Sequence, residues 1–346
     1  MIYTNTSKKL DSPRAFITQP KRLLAMLQKC PAHNSTTLSS LSDLAAEINV
    51  AELFVKDESS RMGLGSFKSL GGAFAVAQMI CEAAGTNDPT DDAAKKIAST
   101  MTFVTASAGN HGLSVAAGAK LFGANSVVIL PETAPDSFAE RISNMGANVK
   151  QSGSYAESVA DAMDSAEKNE WIHLSDGSWE GYTERPALIM EGYTVLAEEC
   201  NHQFTEMNKW PTHVFIQAGV GGLAASMAAN IREHWPVQPF ISIVEPDAAP
   251  CLLESAKAHE LTSTDGPDSC MGRLDCKDAS KIAFESLICD ANEFITISDK
   301  DAESATEMLA RHNIPTTPSG AAGLAGLIKK APGSDSRPLI IVSEGA

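Results

Sequence analysis

TFVTASAGNHGLSVAAGAKLFGANSVVILPE, residues 102–132, carries the pattern that decides the fold. Thr102 to Ser107 is a run of β-formers. Asn110 to Ala124 sets small and apolar residues at helical spacing and closes at Gly123, and Ser126 to Glu132 is an apolar run bounded by Pro131. Strand, helix and buried strand in that order make a βαβ unit, whose strands lie parallel in one sheet. The pattern repeats downstream as a helix over 135–147, a strand NVKQSG (148–153), an amphipathic helix over 155–170 and a strand WIHLSD (171–176). A second set of strands surrounds this block: ELFVKDE (52–58), THVFIQAG (212–219), FISIVEP (240–246), EFITIS (293–298) and PLIIVSEG (338–345). Helical patterns over 186–200 and 221–235 fall among them. The expectation is an α/β protein with two open, twisted, parallel-type sheets flanked by helices. A small domain (88–183) would be inserted in a large discontinuous one (1–87 and 184–346), and residues 266–281 read as a long loop of the kind that often carries function.

The 346 residues, 43% hydrophobic and 20% charged, suffice for two packed domains and exclude a low-complexity chain. Lys plus Arg number 27 and Asp plus Glu 43, a formal charge of −16. Such a surface repels phosphate backbones and anionic lipid, so neither nucleic acid nor a membrane is an expected partner. The densest basic run, Lys8, Lys9, Arg14, Lys21 and Arg22, reads as a solvated helix face. Seven cysteines without CxxC spacing read as reduced thiols, and Cys270 and Cys276 have no nearby His to complete a metal site. With no apolar leader at the start and no run of eighteen apolar residues, the expected location is the cytoplasm.

Several short stretches could carry chemistry. GSFKSLGG (65–72) puts Lys68 behind Phe67 and ahead of a double glycine. A buried lysine has a lowered pKa and can condense with an aldehyde; the alternative is a helix-start lysine between glycine hinges. The spacing does not fit a GxxxxGK[ST] nucleotide loop. QAGVGGLA (217–224) follows a strand and opens a helix, so its backbone N–H groups suit a phosphate. Glu245, about twenty positions on, keeps a dinucleotide reading open. In SAGNHG (107–112) the helix-start amides could hold a carboxylate, Asn110 offers an amide, and His111 is either a general base or an orienting, packed side chain. SDGSWEGYT (175–183) sets Asp176 at a strand end beside Trp179 and Tyr182, where it reads as a carboxyl of raised pKa or as a helix N-cap. TPSGAAGL (317–324) reads as a helix N-capped by Ser319 unless a site needs a neutral hydroxyl there.

Taken together and in this order, VKDES (55–59), FKSLGG (67–72), GNHG (109–112), WEGYT (179–183), AGVGG (218–222), VEP (244–246), TPSGAAG (317–323) and SEG (343–345) resemble the fold type II family of pyridoxal 5′-phosphate enzymes, the tryptophan synthase β-like class. WEGYT and AGVGG tilt the resemblance toward its diaminopropionate ammonia-lyase branch, with the serine/threonine dehydratases next. The resemblance implies Lys68 as the Schiff-base lysine and base, and Asp176 as the acid that protonates the leaving group. It places Phe67, Asn110, Gly219, Val220, Gly221, Gly222, Leu223, Glu245 and Ser319 at the cofactor, with Asn110 on the ring hydroxyl oxygen and Ser319 facing the pyridine nitrogen. A hydroxyl there, unlike an aspartate, does not stabilise a protonated ring, which suits prompt β-elimination. Substrate would touch Ser107, Ala108, Gly109, Asn110, His111, Asp176 and Tyr182. The implied reaction is α,β-elimination from a small β-substituted amino acid, giving pyruvate and ammonia, by a homodimer. A hydroxy-amino-acid dehydratase or a β-replacement synthase would use the same residues. A metabolite-binding protein on this scaffold would have no need of Lys68.

Two departures sharpen the expectation. Ammonia-lyases of this branch carry aspartate just before GNHG, associated with proton abstraction from the D-isomer, whereas here the residue is Ala108. A methyl group takes no proton, so activity should be restricted to an L-amino acid, and a cationic β-amino group loses a partner. Relatives with a stimulatory divalent ion place a carboxylate six residues after the glutamate of VEP, where this chain has Cys251, so no metal is expected.

Overall fold

The computed structural model describes residues 1–6, 14–19, 21–28, 30, 32–107 and 109–346. Its strands are β1 (Ile2–Thr4), β2 (Thr37–Ser40), β3 (Phe54–Asp57), β4 (Thr102–Ala106), β5 (Asn125–Leu130), β6 (Asn148–Gln151), β7 (Ile172–His173), β8 (His213–Gln217), β9 (Phe240–Pro246), β10 (Glu293–Ile297) and β11 (Pro338–Val342). Its helices are α1 (Lys21–Leu27), α2 (Ser42–Glu47), α3 (Lys68–Ala84), α4 (Asp92–Ala98), α5 (Asn110–Phe122), α6 (Asp136–Asn144), α7 (Tyr155–Asn169), α8 (Glu184–Met207), α9 (Gly222–His234), α10 (Cys251–Ala258), α11 (Lys281–Asp290), α12 (Asp299–Arg311) and α13 (Pro318–Lys330).

The strands form two sheets, one in the order β1-β10-β9-β8-β11-β3-β2 and one in the order β6-β5-β4-β7. Every pairing is parallel except those at the two edges of the larger sheet, where β1 on β10 and β2 on β3 are antiparallel. These edge strands escaped the sequence pattern because they are short and largely exposed. The central strands β10 and β11 are buried at every position, and β8 and β9 at all but their first, as expected where helices cover both faces. The small sheet comes wholly from residues 102–173, inside the run that supplies no strand to the larger one. β7 keeps only Ile172 and His173 of the expected six residues, because the chain leaves the sheet to turn at Asp176. Of the basic run near the start, Lys8 and Lys9 lie outside the described residues. Arg14 does not sit on a solvated helix face: its Nη2 stands 2.7 Å from Asp290 Oδ1 and ties this segment to the end of α11.

Helix α3 joins the two sheets, and its double glycine is a crossing point rather than a hinge. A Cβ on Gly192 of α8 would lie 2.4 Å from the Leu70 carbonyl oxygen, and one on Gly72 would lie 2.5 Å from Ser114 Oγ of α5. Only bare backbone lets α3 pass α8 on one side and α5 on the other at this distance.

Ahead of α3 a buried ionic cluster fixes the approach to Lys68. Arg61 Nε stands 2.7 Å from Glu58 Oε2, Arg61 Nη1 2.7 Å from Glu199 Oε1, and Lys56 Nζ 2.8 Å from Glu199 Oε2. Burial pushes the Glu199 carboxyl up, but the hydrogen bond and charge of Arg61, with Lys56, hold it at about 2, below its ordinary 4.5. A folded-state value below the unfolded one gives stability that is present above pH 4.5 and is lost as pH falls toward 2. We expect roughly 3 kcal/mol to disappear across that window. Urea midpoints of the wild type and Glu199→Gln, followed from pH 6 to pH 3, check this. The variant should be less stable at pH 6 and lose less on acidification, and equal acid slopes would assign the loss elsewhere.

Candidate active site

The chemistry-bearing loops leave the C-terminal ends of parallel strands, the place where open α/β sheets bind ligands. Lys68 opens α3. The segment before it is pinned to the end of β11, where Ser66 bridges Glu344 and the Phe67 N–H donates to Ser343 O at 3.2 Å. The Lys68 ammonium points across to Asp176 and is ion-paired with its carboxylate. Phe67 and Tyr193 meet edge-on at 4.9 Å, and the ammonium lies 5.5 Å from the first ring and 5.9 Å from the second.

The expectation of a lowered lysine pKa is not met in this structure. Burial does act downward on the Lys68 ammonium, but Asp176 outweighs it and the net direction is up. Burial likewise pushes the Asp176 carboxyl up, and the charge and hydrogen bond of Lys68 reverse it to well below the usual carboxylate range. Asp176 is therefore neither a carboxyl of raised pKa nor a helix cap, since α8 begins only at Glu184. The pair keeps the proton on Lys68 and the negative charge on Asp176.

The turn carrying Asp176 is braced from behind. The Tyr182 hydroxyl donates to His173 O at 3.0 Å and accepts from the Ser175 N–H at 3.0 Å, while its ring stacks on Trp179 at 4.4 Å. Tyr182, expected at the substrate, is thus a strut for Asp176. Ser178 and Ser280 share a hydroxyl contact of 2.7 Å, and the Ser280 N–H donates to Val220 O at 2.9 Å. The acid turn and the glycine turn after β8 are thereby fixed to each other.

After β4, the Ser107 hydroxyl accepts from the N–H groups of Gly109 at 3.2 Å and Gly112 at 2.9 Å, so it shapes the loop around Gly109. Asn110 and His111 occupy the first turn of α5, where backbone N–H groups have no intrahelical acceptor. Ala108 lies outside the described residues. The Asn110 side-chain amide donates to Glu344 Oε2. His111 is buried with Nε2 2.9 Å from Leu174 O, which requires the proton on Nε2, and leaves Nδ1 buried without a partner among the described residues. Burial lowers its pKa, and Lys68 adds to this against Asp176. A neutral imidazole oriented by a carbonyl results.

Gly219, Val220, Gly221, Gly222 and Leu223 make the turn from β8 into α9. Gly221 takes φ +101°, a left-handed conformation that a side chain would strain. A Cβ on Gly222 would make only ordinary packing contacts, the nearest 3.6 Å away on Tyr193. Ser319 sits one residue inside α13, and the cap is Thr317, whose hydroxyl accepts from the Gly320 N–H at 3.1 Å. The Ser319 hydroxyl instead accepts from the Arg273 N–H at 3.1 Å.

A family model described as pyridoxal-phosphate dependent enzyme matches residues 30–344. The chain belongs to that family. It is 35% identical over 324 residues to the diaminopropionate ammonia-lyase of Escherichia coli strain K12, covering 91% of this chain and 81% of the relative. The Escherichia coli enzyme solved in complex with an aminoacrylate-PLP azomethine reaction intermediate superposes with a TM-score of 0.87 at 32% identity, over 100% of this chain and 93% of that one. A biosynthetic L-threonine dehydratase of Haemophilus influenzae is 25% identical over 228 residues, 65% of this chain and 42% of the relative. The protein is a fold type II, pyridoxal phosphate-dependent lyase.

The residues present fit the cofactor. Lys68 is an amine for the aldehyde, and the first turn of α9, where glycines leave the backbone N–H groups uncovered by side chains, would serve as a cradle for a phosphate. The Ser319 hydroxyl accepts from Arg273 and keeps its own proton to give to an unprotonated ring nitrogen. Tyr193 offers a buried hydroxyl with no partner among the described residues. Glu245 does not belong to this set. Its oxygens accept the N–H groups of Leu252 at 2.7 Å and Leu253 at 2.8 Å, and burial, the largest influence, raises its pKa to about 8 against those bonds. It is the fully buried cap of α10 rather than a cofactor ligand.

Sequence reasoning missed Tyr193, Glu344 as a side chain, Cys276 and Arg273. Glu344 accepts from Asn110 and, at 2.5 Å, from the Thr317 hydroxyl. Cys276 Sγ lies 2.9 Å from where a Cβ on Gly219 would sit, and burial raises its thiol to about 11 with Asp176 adding to the effect. Tyr193 lies mid-helix and Cys276 and Arg273 in an irregular stretch, so no local pattern marks them. Only the SEG tripeptide flagged Glu344.

Proposed function

We propose that this lyase eliminates ammonia from a small β-substituted L-amino acid, with L-2,3-diaminopropionate the first substrate to test and pyruvate as the 2-oxo acid. The observation that carries the reading is the Lys68–Asp176 pair. When bound, pyridoxal phosphate supplies the sink for the electrons left by the α-proton. The first-turn amides of α5 receive the substrate carboxylate. The Lys68 amine takes the α-proton, and Asp176 accepts and returns the proton that lets an amine depart. Tyr182 and Ser178 keep the carboxyl in reach of both groups. His111, neutral and carbonyl-bound, contributes a fixed dipole.

Ala108 favours a second reading. No carboxylate precedes GNHG to meet a cationic β-amino group, so L-serine and L-threonine are the alternative substrates, consistent with the likeness to a threonine dehydratase. We further place the enzyme in the cytoplasm as a homodimer, with a small domain (88–183) inserted in the larger. No helix among the described residues is long and apolar enough to cross a membrane.

The test is ammonia and pyruvate released from L- and D-2,3-diaminopropionate and L-serine, with 2-oxobutyrate as the L-threonine readout. Two ammonia per pyruvate from the L-diamino acid, with the D-isomer inert, is the expected result. Turnover of the hydroxy acids alone moves the protein to the dehydratases. Turnover of the D-isomer means that another base stands in for the missing aspartate.

A further inference from the structure

The irregular stretch between α10 and α11 carries one cation into the cleft. The Arg273 guanidinium lies flat against Gly109, its carbon 3.0 Å and Nε 3.1 Å from where a Cβ on that glycine would be. Its other neighbour is the Phe138 ring of α6, with the guanidinium carbon 4.6 Å from the centroid. Glu344 Oε2 stands 3.7 Å from Nε, beyond hydrogen-bond length, and both Glu344 oxygens are already engaged by Asn110 and Thr317. Nε is buried and has no hydrogen-bond partner among the described residues. A charged fork is thus held at the start of α5 with no hydrogen bond from its side chain to the described residues, in a side chain still 32% exposed. Its own N–H is fixed to Ser319, and its carbonyl would lie 3.1 Å from a Cβ on Gly219.

We propose that Arg273 is a substrate-binding residue that grips the α-carboxylate of the amino acid together with the first-turn amides of α5. A guanidinium matches a carboxylate with two parallel N–H donors, and a helix start alone offers only partial charge. Because the Arg273 backbone touches the positions assigned to the ring nitrogen and the phosphate, the residue reading the substrate is anchored to those that hold the cofactor. The proposal rests on the lyase reading of this site but not on the identity of the β-substituent.

The test uses holoenzyme and two unreactive probes, L-alanine and L-alaninamide, titrated against the visible absorbance of the bound cofactor. Neither has a β-leaving group, so binding is read apart from elimination. Wild type should prefer L-alanine. Arg273→Gln should weaken L-alanine by about ten- to a hundredfold, the worth of a charge-assisted hydrogen bond, and leave L-alaninamide within about twofold. Arg273→Met, which keeps an apolar stem against Phe138, should show the same selective loss should the glutamine variant fail to hold cofactor. Equal weakening of both probes, or of neither, overturns the proposal. If the carboxylate selectivity depends on Arg273 while no 2-oxo acid forms from any substrate above, the reading of the reaction fails and this assignment stands.

Discussion

Replacing Lys68 with alanine is expected to reduce 2-oxo acid release by at least about a thousandfold, the scale of losing a positioned base. The cofactor should no longer be fixed to the chain by borohydride. Lys68 is the primary amine at the centre of the site, set between the rings of Phe67 and Tyr193 and the Asp176 carboxylate. A second consequence concerns the cofactor-free protein. Without the ammonium, the Asp176 carboxyl stays among buried groups, and the upward push of burial loses the partner that now reverses it. Breaking one side of such a pair costs about 3 kcal/mol near neutrality. A carboxyl whose folded pKa is raised destabilises above that pKa, so the deficit should shrink as pH falls. Urea unfolding at pH 7 and pH 5 measures this, and adding Asp176→Asn should recover much of the loss. Retention of a tenth of the activity in the alanine variant would remove Lys68 from the chemistry.

Asp176→Asn is expected to slow turnover by about a hundred- to ten-thousandfold with the fold intact, because the amide keeps the shape and loses only the proton. Lys68 then loses the charge that outweighs burial, and its pKa moves down. The amine should become deprotonated at lower pH than in the wild type, so the alkaline-side rise of the turnover profile shifts to lower pH. The leaving group separates the possible roles. L-β-chloroalanine expels chloride without needing a proton, so its turnover should fall far less than that of an amine or hydroxyl substrate. Equal losses on both would show that Asp176 serves Lys68 and not the departing group.

Both expectations depend on a contact that no stretch of sequence contains. Lys68 and Asp176 are 108 positions apart. They meet because α3 is pinned to the end of β11 through Phe67 and packed on α5 through Gly72, while the turn after β7 is braced by Tyr182 and laced to residue 280. The active site is therefore as rigid as these ties, and Asp176 is held by hydroxyls and backbone rather than by an element of its own.

The alternation of strand and helix over 102–173, the buried parallel strands from β8 to β11, and the positions of Lys68, the GNHG loop and the glycine turn were all legible from the amino-acid order. Periodicity reports which face of an element is buried, and a glycine or a helix start acts on its immediate neighbours, so both signals are local. The tertiary structure alone decided what depends on partners distant in the chain. It turned Lys68 from a lysine of lowered pKa into a tightly held ammonium, because the charge of Asp176 outweighs burial. It took Glu245 out of the cofactor site, since both its oxygens face the start of α10. It made Tyr182 a strut, moved the cap of α13 from Ser319 to Thr317, and carried Arg273 from an irregular stretch onto Gly109. Hydrogen bonds and charges act over a few ångströms of space whatever the separation along the chain, and only the packed fold sets those distances.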